Sequence, residues 1–361
     1  MQPSTRSTTR QWQGIIAHYG ARMQIRRDVT PVTLLEGNTP LIPAPRLAEA
    51  LGGGFELFLK YEGLNPTGSF KDRGMTAAIT QAVAEGAQAV ICASTGNTAA
   101  SAAAYAARAG LKCIVLVPEG KIALGKLAGA LSYGAEVLAI EGNFDDGLRL
   151  VRAASEHVPI AVVNSINPAR LQGQKTAAFE ICDALGEAPD WLCLPVGNAG
   201  NITAYWMGFT EYYNDGIIQR RPHLLGAQAE GAAPIVREHV VEKPETIATA
   251  IRIGNPARWQ EAKQALTESK GRATAVSDEE ILEWQAKIAR LEGVFVEPAC
   301  AAGIAAIAKG RREGWLNIEE QRVVSIMTGH GLKDPDTALK KAPQPRTIPA
   351  SLDALLEALI R

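Results

Sequence analysis

A chain of 361 residues has room for two domains on a soft scale of roughly 100–200 residues each, which excludes a single small disulfide-stapled module. Its 37 Lys and Arg against 38 Asp and Glu leave a net charge of −1, so no overall field would hold it to a nucleic-acid backbone or an anionic bilayer. With 47% hydrophobic and 21% charged residues the composition is that of an ordinary globular protein and not of a disordered chain.

Residues 1–27 hold five arginines, several Ser and Thr, and no acid before Asp28, a composition shared by organellar transit peptides and by short structural arms. Trp12, Ile15, Ile16, Tyr19 and Met23 form a roughly helical apolar stripe, which favours an arm docked on the body. From about residue 55 short apolar runs alternate with longer alanine-rich stretches. Strands are predicted at 55–61, 89–93, 112–117, 135–140, 160–164, 191–196, 223–228, 293–296 and 322–327, with helices between most of them. Runs that are apolar throughout belong to strands covered on both faces, which points to parallel sheets wrapped by helices. Nine strands suit two α/β lobes with a cleft between them better than one open sheet. The segment 229–275, with Pro234, Pro244 and Pro256 and no clear period, reads as irregular connection. An extended arm over 342–350 leads to a terminal helix over 351–360.

Four strand ends carry chemistry. In Asn65-Pro66-Thr67-Gly68-Ser69-Phe70-Lys71-Asp72-Arg73-Gly74 a turn delivers Lys71 to the first turn of a helix, where the positive end of the dipole and burial lower an amine's pKa from about 10.4 and make it a nucleophile. Ala93-Ser94-Thr95-Gly96-Asn97-Thr98 leads a strand into an alanine-rich helix, and such an end can present amides and hydroxyls to a carboxylate or phosphate, although Ser, Thr and Asn also serve as plain caps. Pro195-Val196-Gly197-Asn198-Ala199-Gly200-Asn201 is a glycine-rich turn before a helix, the local pattern of an anion cradle. Ser325-Ile326-Met327-Thr328-Gly329-His330-Gly331 ends a further strand in a hydroxyl and glycines. By contrast, Gly120 to Leu127 resembles a nucleotide loop but has Leu127 where magnesium needs a hydroxyl. No GxGxxG or GxSxG supports a nicotinamide site or a hydrolase. A reactive lysine, a phosphate cradle and hydroxyls at several strand ends together fit pyridoxal phosphate held as a Schiff base.

The five cysteines, Cys92, Cys113, Cys182, Cys193 and Cys300, are odd in number and sit mostly in apolar runs, which predicts buried free thiols and a reducing, cytoplasmic setting. No CxxC pair occurs and the five histidines never come at ligand spacing, so no metal site is expected. No apolar run approaches the roughly 20 residues needed to cross a bilayer.

NPTGSFKDRG, ASTGNTAASAAAYAARAG, PVGNAGNITAYW and TGHGLKDPDTA, in that order, resemble the threonine synthase family within the fold-type II group of pyridoxal-phosphate enzymes, over about Pro31 to Leu339. The resemblance implies two open, mostly parallel twisted sheets wrapped by helices, with the cofactor in the cleft between lobes. The smaller domain would be 62–165 and the larger 1–61 with 166–361. It implies that Lys71 carries the cofactor, that Phe70 lies against it, that Asn97 meets its phenolic oxygen, that Gly197, Asn198, Ala199, Gly200 and Asn201 hold its phosphate, and that Thr328 meets its ring nitrogen. The family converts O-phospho-L-homoserine and water to L-threonine and phosphate, the last step of threonine biosynthesis. Its substrate carboxylate site maps to Ser94, Thr95, Asn97 and Thr98, and its substrate phosphate site to Asn164, Ser165, Arg170 and Asn198. Members of this fold group are usually homodimers. Rival readings are a dehydratase or cysteine synthase of the same group, disfavoured by the GNAGN cradle and the Asn164 to Arg170 stretch, and a non-catalytic metabolite-binding protein, disfavoured by Lys71.

Overall fold

The computed structural model describes residues 11–119, 124–142, 144–339 and 345–360. Two sheets organise it. The larger has six strands: β1 (Leu41–Pro43), β2 (Glu56–Tyr61), β7 (Trp191–Pro195), β8 (His223–Ala229), β9 (Arg272–Val276) and β10 (Arg322–Met327), in the order β1-β2-β10-β7-β8-β9. The smaller has four: β3 (Ala89–Ala93), β4 (Lys112–Pro118), β5 (Glu136–Ile140) and β6 (Ile160–Val162), in the order β5-β4-β3-β6. Every pairing is parallel except β1 with β2, so the expected architecture stands.

The central strands are largely apolar because helices cover both faces. In the larger sheet Cys193, Leu225, Ala227 and Val323 face one core, against the helices Asp278–Glu292 and Pro298–Arg312. Their neighbours Leu192, Leu194, Leu224, Val324 and Ile326 face the other, against Thr176–Leu185, Gly200–Asn214 and Trp259–Glu268. The period of two in a strand divides each run between two cores. The smaller sheet repeats the pattern: Val90, Cys92, Val115 and Val117 pack on the helices Lys71–Ala84 and Asn97–Ala109, and Ile91, Ala93 and Leu116 pack on the side of Val151. All five cysteines are buried and free.

The N-terminal stripe docks as expected. Ile15, Ile16, Tyr19 and Met23 are buried in the second of these cores, and the Tyr19 hydroxyl donates to Asp183 at 2.6 Å. The terminal helix forms over Leu352–Ile360, with no buried residue. Part of the nucleotide-loop look-alike, residues 120–123, and part of the C-terminal arm, residues 340–344, lie outside the described residues.

Two expectations fail. No strand forms over 293–296: the chain leaves the helix Asp278–Glu292 through Gly293 in the left-handed conformation, and only Val296 makes a bridge, to His330. The segment 229–275 is also not merely irregular, since it holds the helices Pro234–Arg237 and Trp259–Glu268 and the edge strand β9. Helix Trp259–Glu268 turns Ala262, Ala265 and Leu266 inward, a stripe at i, i+3 and i+4 that the prolines before it obscure.

Candidate active site

A cleft of about 1030 Å³ opens beyond the carboxyl ends of β3, β7 and β10, where parallel α/β sheets place ligands. Lys71, Phe70, Ser94, Thr95, Asn97, Thr98, Asn164, Ser165, Gly197, Asn198, Ala199, Gly200, Asn201 and Thr328 all line it. Of the residues expected there, Arg170 alone does not.

Lys71 reaches the floor of the cleft because the loop before it is stitched to the end of β10. Phe70 N–H donates to Thr328 O at 3.0 Å and His330 N–H donates to Gly68 O at 2.9 Å. Ser69 and Gly329 form a bridge, so the two loops run side by side and Lys71 starts its helix facing the Thr328 end of the neighbouring strand. The amine lies 4.4 Å from the Phe70 ring centroid. Burial and the Arg170 guanidinium lower its pKa to about 7, against an opposing pull from Glu297, so a sizeable fraction is neutral near pH 7. The following Asp72 does not pair with it. That carboxylate is fully buried and accepts from Thr67 N–H, the Thr67 hydroxyl and the Ser101 hydroxyl; desolvation nevertheless raises its pKa to about 6.

The cradle follows β7. Ala199 adopts φ 64 and no side chain caps the helix Gly200–Asn214, so its first N–H groups carry no capping partner and its positive dipole end points at the cleft. Asn201 lines the cleft, and its Nδ2 is buried with no hydrogen-bond partner. Asn198 is fixed on both sides: Nδ2 donates to Ser165 Oγ at 3.0 Å and Oδ1 accepts from Ala257 N–H at 2.8 Å. Opposite, the helix Asn97–Ala109 also starts without a side-chain cap, beside the hydroxyls of Ser94, Thr95 and Thr98.

Asn164 lines the cleft while its amide pairs with both backbone groups of Ala93, at 3.1 and 2.9 Å. Arg170 stands behind that wall, 1% exposed. Its Nη1 donates to Val163 O at 3.0 Å, its Nη2 to Gln174 Oε1 at 3.2 Å, and its Nε has no partner. No acid pairs with it among the described residues, and burial lowers its pKa to about 10. A buried cation without a counter-ion is an electrostatic debt that an anion in the cleft would relieve.

Sequence reasoning missed other parts of the cleft. Residues 240–245 and 249–255 form one wall, with the Thr249–Ile251 turn against Gly197. Glu297, 4% exposed, faces Asn97 from the start of the helix Pro298–Arg312. An acid set between an apolar run and a proline-led, alanine-rich helix was the available signal. Lys333 lies in the TGHGLKDPDTA segment and donates to Thr67 O at 3.1 Å from the cleft edge.

Residues 32–329 match the family of pyridoxal-phosphate dependent enzymes. Threonine synthase from Mycobacterium leprae is 59% identical over 98% of both chains, and threonine synthase from Synechocystis is 56% identical over 93% of this chain and 87% of its own. The chain belongs to the threonine synthase family of pyridoxal-phosphate dependent enzymes. Among solved structures, cysteine synthase from Entamoeba histolytica matches with a TM-score of 0.73 at 20% identity, over 89% of this chain and 94% of its own, a likeness of fold alone. Pyridoxal phosphate is the family's cofactor and this cleft fits it: an amine of lowered pKa at one end and, at the other, an uncapped helix N-terminus with the partnerless amide of Asn201.

Proposed function

We propose that this cleft performs the threonine synthase reaction, γ-elimination of phosphate from O-phospho-L-homoserine followed by addition of water at Cβ, as a carbon–oxygen lyase acting on phosphates. The observation that carries the reading is Lys71: a half-buried amine with pKa about 7, in one cleft with the Gly197–Asn201 cradle. Pyridoxal phosphate, when bound, supplies an electron sink for negative charge that develops at substrate carbons.

The chain's own groups have distinct tasks. Lys71 Nζ would hold the cofactor through its aldehyde, and as a free amine would move protons at Cα and Cβ of the substrate; a base with pKa near the working pH does this well. Phe70 would pack against the ring, Asn97 would meet the phenolic oxygen and Thr328 the ring nitrogen. Gly197, Asn198, Ala199, Gly200 and Asn201 would hold the cofactor phosphate through amides. Ser94, Thr95, Asn97 and Thr98 receive the substrate carboxylate at the uncapped helix start. Asn164, Ser165 and Asn198 receive the substrate phosphate, drawn there by the unpaired charge of Arg170 behind them. Gln174 stands between that guanidinium and the cleft, so Arg170 acts through its field and through Gln174. The four-stranded and six-stranded sheets form the two lobes, divided at 62–165 against 1–61 and 166–361.

Purified protein given phosphohomoserine should release inorganic phosphate and threonine in equal amounts. Ammonia from threonine, with no phosphate released from phosphohomoserine, would replace this reading with that of a dehydratase. Sedimentation should show a homodimer. The buried free thiols suit a cytoplasmic enzyme, and among the described residues no helix is long and apolar enough to cross a membrane.

A further inference from the structure

Glu297 takes no part in the chemistry described so far, yet it is placed with care. Although it is the N-cap residue of the helix Pro298–Arg312, its carboxylate does not cap that helix. Both oxygens instead accept from the Asn97 amide nitrogen, at 3.2 and 3.0 Å, and the Thr328 hydroxyl lies 3.5 Å from Oε1. Its own N–H donates to Gly329 O at 3.1 Å, and a Cβ on Gly329 would come 2.5 Å from Oε1, so a side chain there would push the carboxylate out of place. One turn along, Cys300 Sγ is 3.4 Å from the same Thr328 hydroxyl. The carboxylate forms no ion pair among the described residues. Lys71, Lys333 and Asp334 are the charged groups whose fields reach it, and Cys300 is its titratable neighbour.

We propose that Glu297 is a positioning residue for the cofactor, which sets the direction in which Asn97 and Thr328 present their hydrogen-bonding groups to the ring. This rests on the reading that those two residues would face the phenolic oxygen and the ring nitrogen. Burial raises the Glu297 carboxyl above its ordinary value, while the Asn97 hydrogen bond and the Lys333 and Lys71 charges favour its ionised form; in that form it can only accept. It therefore turns the Asn97 NH₂ toward itself and leaves the second N–H of the same nitrogen as a donor for the phenolic oxygen. The single Thr328 proton has the carboxylate as a competing acceptor, which governs whether the ring nitrogen meets a proton or a lone pair. A glutamine at 297 could offer its own NH₂, letting the Asn97 amide reverse, and would remove the negative charge that favours protonated forms of the bound cofactor.

The test uses apoprotein and holoenzyme of wild type, E297Q, E297A and E297D, each checked for native circular dichroism. Pyridoxal phosphate affinity should fall by about tenfold in E297A, the loss expected for a hydrogen bond to a charged group. The pH midpoint of the bound cofactor's visible absorption should move down by about one unit in E297Q and return toward wild type in E297D. A merely structural carboxylate would leave that midpoint in place. If E297A does not fold, the E297Q and E297D midpoints decide the matter. Wild-type affinity and midpoint in every folded variant overturn the assignment alone; wild-type protein that captures no cofactor overturns the functional reading and this assignment with it.

Discussion

The lowered pKa of Lys71 has consequences that can be measured before any turnover. Capture of pyridoxal phosphate by the apoprotein needs the neutral amine, so its rate should rise with pH around a midpoint of about 7, where an ordinary lysine would give about 10.4. The same shift acts on stability. Between those values the unfolded chain binds a proton that the folded chain does not, so apoprotein stability should increase with pH across that window, and Lys71→Ala should remove the increase together with cofactor absorption and turnover. Arg170 tests the electrostatic account of the substrate site. Arg170→Ala should lower kcat/KM for phosphohomoserine by about 2–4 kcal/mol, as for removal of a buried charge partner. Steady-state kinetics that show no change would place the phosphate site elsewhere in the cleft.

At the scale of elements, the helices Lys71–Ala84 and Pro168–Gln174 cross with backbones almost touching, and that contact seats both Lys71 and Arg170. A Cβ on Gly173 would lie 1.8 Å from Arg73 O, and one on Gly74 would lie 2.8 Å from Arg170 Nε. Neither backbone can yield without moving its helix. Gly173→Ala should therefore destabilise the fold by about 3 kcal/mol or more, in the range of severe overpacking, read as a lower urea midpoint. Strands and helices around the site were legible from the sequence because apolar runs and alanine-rich stretches carry local periods. The exceptions have local causes too. The run 293–296 is apolar enough for a strand, but it crosses from one helix to the next with only Val296 bridged. Strand β9, RATAV, is an edge strand whose alternation was hidden among the prolines and charges of the preceding segment.

A buried ion cluster with equal positive and negative charge ties strand β2 to the Lys71 helix and the helix Thr176–Leu185. Arg73 meets Glu62 through Nε and Nη2 at 2.6 and 2.8 Å, and Glu180 through Nη1 and Nη2 at 2.7 and 2.6 Å; Lys60 completes it at 2.7 Å from Glu180. These residues come from β2, the turn after it, the Lys71 helix and the helix Thr176–Leu185. The guanidinium holds the Glu62 carboxyl below its ordinary value despite complete burial, and Arg73 and Lys60 do the same for Glu180. Arg73→Met would leave two buried carboxylates sharing one lysine, and should cost about 3–5 kcal/mol in denaturant unfolding. Restoring much of that loss by replacing Glu62 and Glu180 with Gln as well would show that the cost lies in stranded charge.

The sequence by itself determined the class of fold, the family and the stretches around Lys71 and Gly197 that come to line the cleft, because each is written in a contiguous stretch: a period of two or of a helix turn, a lysine behind a Pro/Gly turn, glycines before a helix. Tertiary structure alone decided what those stretches meet. It placed Arg170 behind the cleft wall and not on it, put Glu297 against Asn97 from 200 residues away, made a wall from residues 240–245 and 249–255, and joined Arg73 to Glu180 across 107 residues. Pairings of that kind leave no local period or spacing, since they depend on which strand ends lie side by side once both sheets are covered.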